Sequence, residues 1–401
     1  MKPLAWKPVT DAVLTGSRTL SELPVPAYGR AALSDLMPSV LAALGVPGEP
    51  NTLGLPGLSR CVVLLVDGLG AELLARHQQE APFLCSLAGR RLTAGFPSTT
   101  ATSLASFGTG MTPAEHGLLG YTSWVQEIDE PLAWLTWTSQ DGQRDLRDRL
   151  VPEQAQPAPT VFERAARDGV DVTVAAPAAF RSSGLTRAVL RGGRYRGSVT
   201  AGDAIAHAVH GSRSGTRSLV YCYTPDLDLT GHVRGVASAA WRSQLRLVDR
   251  FAEELAARLP RDTTLLVTAD HGMVDVQESA QVDVDGSPEL TAGVRALTGE
   301  PRARHVHCLP GAADDVLAAW HGTLSDRMWV GRGADALSAG LLGPLVTDVS
   351  RSRVGDVVAI ATSPVAVVRS RAEPMLARLV GHHGALTADE LLVPLLTTDG
   401  P

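Results

Sequence analysis

The residues best suited to chemistry in this chain are carboxylates and imidazoles at the ends of apolar runs. Asp67 closes Cys-Val-Val-Leu-Leu-Val-Asp-Gly, and Asp228 and His232 follow Leu-Val-Tyr-Cys-Tyr. Asp270 and His271 close Leu-Leu-Val-Thr-Ala-Asp-His-Gly, and His383 lies in a late Gly-His-His-Gly run. Between the first two groups comes a hydroxyl-rich turn, Phe96-Pro-Ser-Thr-Thr-Ala-Thr-Ser103. Together they offer oxygen and nitrogen ligands for two divalent metals, plus a nucleophile. That inventory points to metal-assisted cleavage of a phosphate ester.

Each group also has a structural reading. Asp67 alone is a turn residue, because Asp-Gly commonly ends a strand. Asp270 and His271 are harder to explain that way, since both are costly after a buried strand unless paired or metal-bound. Asp228 and His232 stand four residues apart and can reach one ion. Asp226 is the rival ligand and Asp228 is preferred; Asp228 or Thr230 could instead cap the following helix. His382 competes with His383, and the flanking glycines favour His383. Ser and Thr before a helix are ordinary N-caps. The same geometry is an anion site, where a hydroxyl touching a metal can lose its proton and attack phosphorus. Physical chemistry alone does not choose among Ser98, Thr99, Thr100, Thr102 and Ser103. His116 reads as part of a turn, Trp134 and Trp137 as core, and Glu300, Arg302, Arg304, His305 and His307 as a solvated strand edge.

These groups need elements to position them. Cys61–Val66, Ser218–Tyr223 and Thr264–Thr268 are apolar runs of the kind found in strands buried on both faces. Val170–Ala175 is a further strand, and Leu92–Phe96 a short one. Helices are expected over 31–44, 70–77, 82–89, 100–107, 160–167 and 202–209. The clearest helix, 237–259, repeats Trp241, Leu245, Val248, Phe251, Leu255 and Leu259 at three- and four-residue steps. The alternation predicts an α/β fold with a doubly wound, mostly parallel sheet, whose sites gather at the carboxyl ends of its strands. Asp67, Asp228 and Asp270 all follow such ends. Residues 276–365 break the pattern and read as an insertion or cap, with Val357–Ile360 and Val365–Val368 returning to the main sheet or its edge. The expected division is an N-terminal extension over 1–58, a catalytic core over 59–275 and 366–401, and the inserted region between.

Length and composition bound the function. The chain has 401 residues and a net charge of −6, which argues against a general nucleic-acid-binding surface but not against a small anionic substrate on bound metals. Residues Met1–Thr10 lack the apolar stretch of a secretory signal, and no apolar run is long enough to span a bilayer. Cys61, Cys85, Cys222 and Cys308 have no metal-type spacing. The expected location is cytoplasmic.

The ordered motifs resemble the nucleotide pyrophosphatase/phosphodiesterase family of the alkaline phosphatase superfamily. The nucleophile segment of that family matches Phe96 to Ser103, followed by Gly108-Thr-Gly-Met-Thr-Pro-Ala-Glu-His-Gly117. Its Asp-Gly matches Asp67-Gly68, its Asp-x-x-Gly-His matches Asp228 to His232, its Asp-His-Gly-Met matches Asp270 to Met273, and its late His-Gly matches His383-Gly384. The resemblance implies an alkaline phosphatase-like fold and two metal ions, usually zinc. Asp67, Thr100, Asp270 and His271 would hold one, and Asp228, His232 and His383 the other. Thr100 would attack phosphorus to give a phosphothreonine, released by water activated on the second ion. The expected substrate is a small phosphate ester or nucleotide. Two departures bear on it. Tyr121 stands where the family keeps an Asn that hydrogen-bonds a phosphoryl oxygen, and Ala101-Thr102-Ser103 replaces Phe-Pro-Asn. Tyr121 and Ser103 are therefore the substrate-binding candidates. The alternatives on one scaffold are a phosphomonoesterase or phosphonate hydrolase, and a non-catalytic metal-binding protein.

Overall fold

The computed structural model describes residues 19–398. Met1–Thr10, the first part of the expected N-terminal extension and the last three residues lie outside them. The centre of the molecule is a seven-stranded sheet. Its order is Ala88–Thr93, Leu392–Thr397, Thr263–Thr268, Arg60–Val66, Ser218–Thr224, Asp171–Pro177 and Arg194–Ser198. Only Leu392–Thr397 runs against the rest, antiparallel to both of its neighbours. The remaining pairs are parallel. This is the expected mostly parallel α/β sheet.

The physical reason lies in the runs themselves. Cys61 to Val66 are all fully buried, as are most side chains of Ser218–Thr224 and Thr263–Thr268. A strand that buries both faces belongs in the middle of such a sheet. These three strands are neighbours, so their carboxyl ends deliver Asp67, the Asp228 segment and Asp270 to one place. The edges are knitted one step beyond the ladder, where Asp67 N–H donates to Thr224 O at 3.0 Å and Gly68 N–H to Asp270 Oδ1 at 3.2 Å.

The long helix is Ala239–Arg258, capped by Ser238 Oγ, which accepts from Trp241 N–H. Trp241, Leu245, Val248, Phe251 and Leu255 are buried along it. The segment before it is a separate helix, Asp226–Arg234.

The region after the central strands differs from expectation. Val357–Ala361 does not return to the main sheet. It lies inside a second, antiparallel four-stranded sheet, in the order Val294–Glu300, Ala303–Cys308, Val357–Ala361 and Met328–Arg332. Ala366–Val368 pairs with Gln281–Asp283 instead. The strand that does return is Leu392–Thr397, hidden from pattern reading by Pro394, which pairs on one side only, with Arg91, the ladder to Thr263–Thr268 beginning at Leu395. One apolar core runs through both sheets, from Leu33 and Leu36 to Ile360 and Leu396. Trp134 and Trp137 are fully buried in it, edge to face at 5.1 Å. No helix among the described residues is long and apolar enough to cross a membrane.

Candidate metal centre and nucleophile

Three imidazoles define the geometry. His232 Nδ1 lies 2.7 Å from Gly381 O, His271 Nδ1 2.9 Å from Gly272 O, and His383 Nδ1 3.0 Å from Ser98 O. A carbonyl can only accept, so each ring carries its proton on Nδ1 and turns the Nε2 lone pair away from the backbone. All three Nε2 atoms then face acidic or imidazole partners. His383 Nε2 and His232 Nε2 meet at 3.3 Å, His232 Nε2 lies 3.3 Å from Asp228 Oδ2, and His271 Nε2 lies 3.4 Å from Asp67 Oδ1 and 3.6 Å from Asp270 Oδ2. The His271 and His383 rings stack at 3.7 Å.

Two groups of side chains could each hold a cation: Asp228, His232 and His383, and Asp67, Asp228 and His271. Asp228 belongs to both. It sits on the Asp226–Arg234 helix with His232 one turn on, on the same face. Asp226 is exposed at the helix start and joins neither group. His382 points elsewhere, its Nε2 3.1 Å from Leu379 O. The structure therefore brings together Asp67, Asp228, His232, Asp270, His271 and His383.

The electrostatics call for a cation. Asp67 Oδ1, Asp228 Oδ1 and Asp270 Oδ2 are buried with no hydrogen-bond donor. Leaving such atoms unpaired is costly. Burial, then the neighbouring Asp270 and Asp228 carboxylates, push the Asp67 carboxyl well above its usual range; the Tyr223 hydroxyl, which donates to Asp67 Oδ2, opposes this. Burial also raises Asp270. Burial acts on Asp228 in the same direction, but His232 outweighs it and holds this carboxyl low. Burial, then His271 and His232, keep His383 neutral. Mutually repelling carboxylates beside imidazole nitrogens are the donor set expected around divalent ions.

The close fit depends on Gly68. Its φ is +73°, and a Cβ there would stand 3.0 Å from Asp228 Cβ. Of the five candidate hydroxyls, Thr100 reaches the cluster, with its Oγ1 3.1 Å from His271 Nε2. It is the first residue of the helix Thr100–Thr109, where unpaired N–H groups favour an anion. Ser98 Oγ donates to Ala385 O and Thr102 Oγ1 to Leu118 O. Ser103, one turn beyond Thr100, is buried with its hydroxyl unpartnered. Tyr121 is placed by its backbone, whose N–H donates to Glu300 Oε2 at 2.9 Å; burial, then Glu373, raise its phenol. His116 is a turn residue, with Nε2 3.0 Å from Ser106 Oγ and Nδ1 accepting from Leu118 N–H.

One expectation fails outright. Glu300, Arg302, Arg304, His305 and His307 do not form a solvated edge; all are buried. Arg302 pairs with Glu390 and Arg304 with Glu373, both pairs out of solvent. A charged run reads as exposed only if its partners are invisible, and these lie more than sixty residues away. Tyr223 was equally illegible. A tyrosine in a strand is ordinary, and only the Leu65–Tyr223 register carries its hydroxyl to Asp67.

The sheet, and metal-type donors at the carboxyl ends of its central strands, define an alkaline phosphatase-like α/β fold. The chain belongs to the family described as Type I phosphodiesterase / nucleotide pyrophosphatase, which matches residues 61–386. Enzymes of that family are metal-dependent. Murine ectonucleotide pyrophosphatase/phosphodiesterase 5 has a similar structure, with a TM-score of 0.66 and 17% identity over 84% of this chain and 87% of that one. The human protein matches over the same shares, with a TM-score of 0.65 and 17% identity. A third match, with a TM-score of 0.66, 17% identity and the same coverage, is an inactive variant of the murine protein, carrying alanine for a threonine, in complex with AMP. Among curated proteins, none matches the chain.

Proposed function

We propose that this protein is a two-metal phosphodiesterase or nucleotide pyrophosphatase that acts through Thr100. The observation that carries the reading is the Thr100 hydroxyl at 3.1 Å from His271 Nε2, beside three buried carboxylate oxygens that lack donors. Asp67, Thr100, Asp270 and His271 would hold one divalent ion, and Asp228, His232 and His383 the other. Zinc suits this mixed imidazole and carboxylate set. Such ions supply charge stabilisation for the phosphoryl group and favour the deprotonated hydroxyl.

The side chains supply the rest. Thr100 Oγ1 bonds to phosphorus as the bond to the leaving oxygen breaks, and the leaving group departs as an alcohol or nucleoside phosphate. The helix N-terminus offers N–H groups to the phosphoryl oxygens. Water then cleaves the phosphothreonine and returns the hydroxyl. Tyr121 and Ser103 are the proposed substrate contacts, supported for Ser103 by its unpartnered Oγ. A small nucleotide is the proposed substrate class, in keeping with the AMP complex of the murine relative. A cytoplasmic location is consistent with four free cysteines.

The test is hydrolysis of bis-p-nitrophenyl phosphate by protein loaded with zinc, compared with p-nitrophenyl phosphate. Diester turnover is expected, with Thr100→Ala reduced to background while its zinc content holds. Full activity in Thr100→Ala would remove the nucleophile assignment. Faster monoester cleavage would select the phosphomonoesterase alternative, for which the Tyr121 replacement is the motive.

A further inference from the structure

Glu300 ends the strand Val294–Glu300 of the second sheet, yet its side chain reaches three segments that carry the site. Its Oε2 accepts from Tyr121 N–H at 2.9 Å. Burial raises the Glu300 carboxyl to about 8, opposed by the Tyr121 N–H and by the Thr99 hydroxyl that lies against it, and its Oε1 has no hydrogen-bond partner. The third segment is the Gly384 loop. A Cβ on Gly384 would stand 2.4 Å from Glu300 Cγ and 3.0 Å from Oε1. That loop carries His383, and Ser98 N–H donates to Gly384 O at 3.2 Å. One carboxyl is thus wedged between the residue before Thr100, the residue after His383 and the backbone of Tyr121.

Ion pairing does not explain it. The neighbouring buried arginines have carboxylates of their own, Arg302 with Glu390 and Arg304 with Glu373. Simple packing does not explain it either. Glu300 is 3% exposed with an oxygen unsatisfied, a cost that an apolar side chain of the same volume would avoid. Buried polar groups that break a packing rule concentrate where geometry serves function.

We infer that Glu300 is a positioning residue for the nucleophile, fixing the Thr99–Thr100 turn against the Tyr121 backbone and the Gly384 loop. The inference rests on the phosphodiesterase reading for its kinetic consequence, but not for its structural one. If the turn is held this way, loss of the carboxyl misplaces Thr100 Oγ1 while leaving every carboxylate and imidazole donor of the metal cluster in place. Misplacement of about 1 Å lowers a rate by on the order of 10²-fold.

The experiment compares wild type, Glu300→Ala and Glu300→Gln as full-length zinc-loaded protein. Diester kcat and KM, zinc content and crystal structures are measured for each. In Glu300→Ala, kcat is expected to fall on the order of 10²-fold with KM within about threefold, zinc unchanged, and the Thr99–Thr100 turn displaced. Glu300→Gln keeps an acceptor for Tyr121 N–H and should recover most of the rate. Should Glu300→Ala not fold, Thr99→Val removes the facing hydroxyl and reads the same contact. An unmoved turn overturns the inference, whether or not kcat falls, and so does loss of zinc in step with activity. If the wild type cleaves no ester, the functional reading fails, and the crystal structures alone decide the positioning role.

Discussion

At the scale of single residues, the tautomers organise the site. Three histidines each give one nitrogen to a backbone carbonyl and turn the other toward the cluster of candidate donors, so the ring orientations are set before any ion arrives. Tyr223 does the same for a carboxylate, occupying Asp67 Oδ2 and leaving Oδ1 toward His271. Tyr223→Phe is therefore expected to weaken zinc binding by about 10- to 100-fold, measured by competition with a chromogenic chelator. Unchanged affinity would show that the hydroxyl does not orient Asp67. The ligand types and their order were legible in the chain because each carboxylate follows an apolar run. Tyr223 and Glu300 were not, because nothing local marks them. Their roles come from a strand register and from a sheet that folds over the site.

At the scale of elements, the second sheet is tied to the main one through a buried ion pair. Arg302 Nε and Nη2 each lie 2.7 Å from a Glu390 oxygen, and Glu390 Oε1 also accepts from Ala385 N–H at 3.0 Å. Glu390 belongs to the short helix Ala388–Leu391, between the His383 loop and the last strand. Removing one member of such a pair strands the other charge out of solvent. Arg302→Met should cost about 3–5 kcal/mol in urea unfolding. The double variant Arg302→Met with Glu390→Leu should regain a large part of that loss. A loss within about 0.5 kcal/mol for the single variant would mean that the pair is dispensable. Pattern reading found most elements of the main sheet to within a few residues because their strands are uniformly apolar. It misplaced Val357–Ala361 because an apolar run does not say which sheet it joins.

At the scale of the whole molecule, acid sensitivity follows from histidines buried in neutral form. Burial, then the Arg353 charge, push His116 down to about 3. Burial, then His307, push His305 down to about 3. Burial lowers His307 to about 4, against the pull of Asp356. The unfolded chain takes up these protons near the ordinary pKa of 6.5. The folded state refuses them until far lower pH. The contribution of these histidines to stability is therefore fully present above that ordinary value and declines as pH falls below it, by up to about 1.4 kcal/mol per pH unit for each group. Replacing one of these histidines by an apolar residue should make the urea midpoint fall less between about pH 7.5 and about pH 5 than it does in wild type. The raised carboxyls of Asp67, Asp270 and Glu300 act in the opposite direction, so the deciding quantity is the difference in slope between wild type and His305→Phe, and equal slopes would contradict neutral burial of His305. Attributing the slope is direct, since His305→Phe should flatten it.

The antiparallel strand Leu392–Thr397 has a consequence for biosynthesis. Within the central sheet, Ala88–Thr93 pairs with that strand alone. The ribosome thus makes the segment leading into Thr100 some three hundred residues before its partner. Until Leu392–Thr397 leaves the exit tunnel, the edge of Thr263–Thr268 stays open and Ala88–Thr93 has no place in the ladder. A nascent chain stalled at residue 385 would already carry all six metal-type side chains, yet lack the strand that joins Ala88–Thr93 to the sheet.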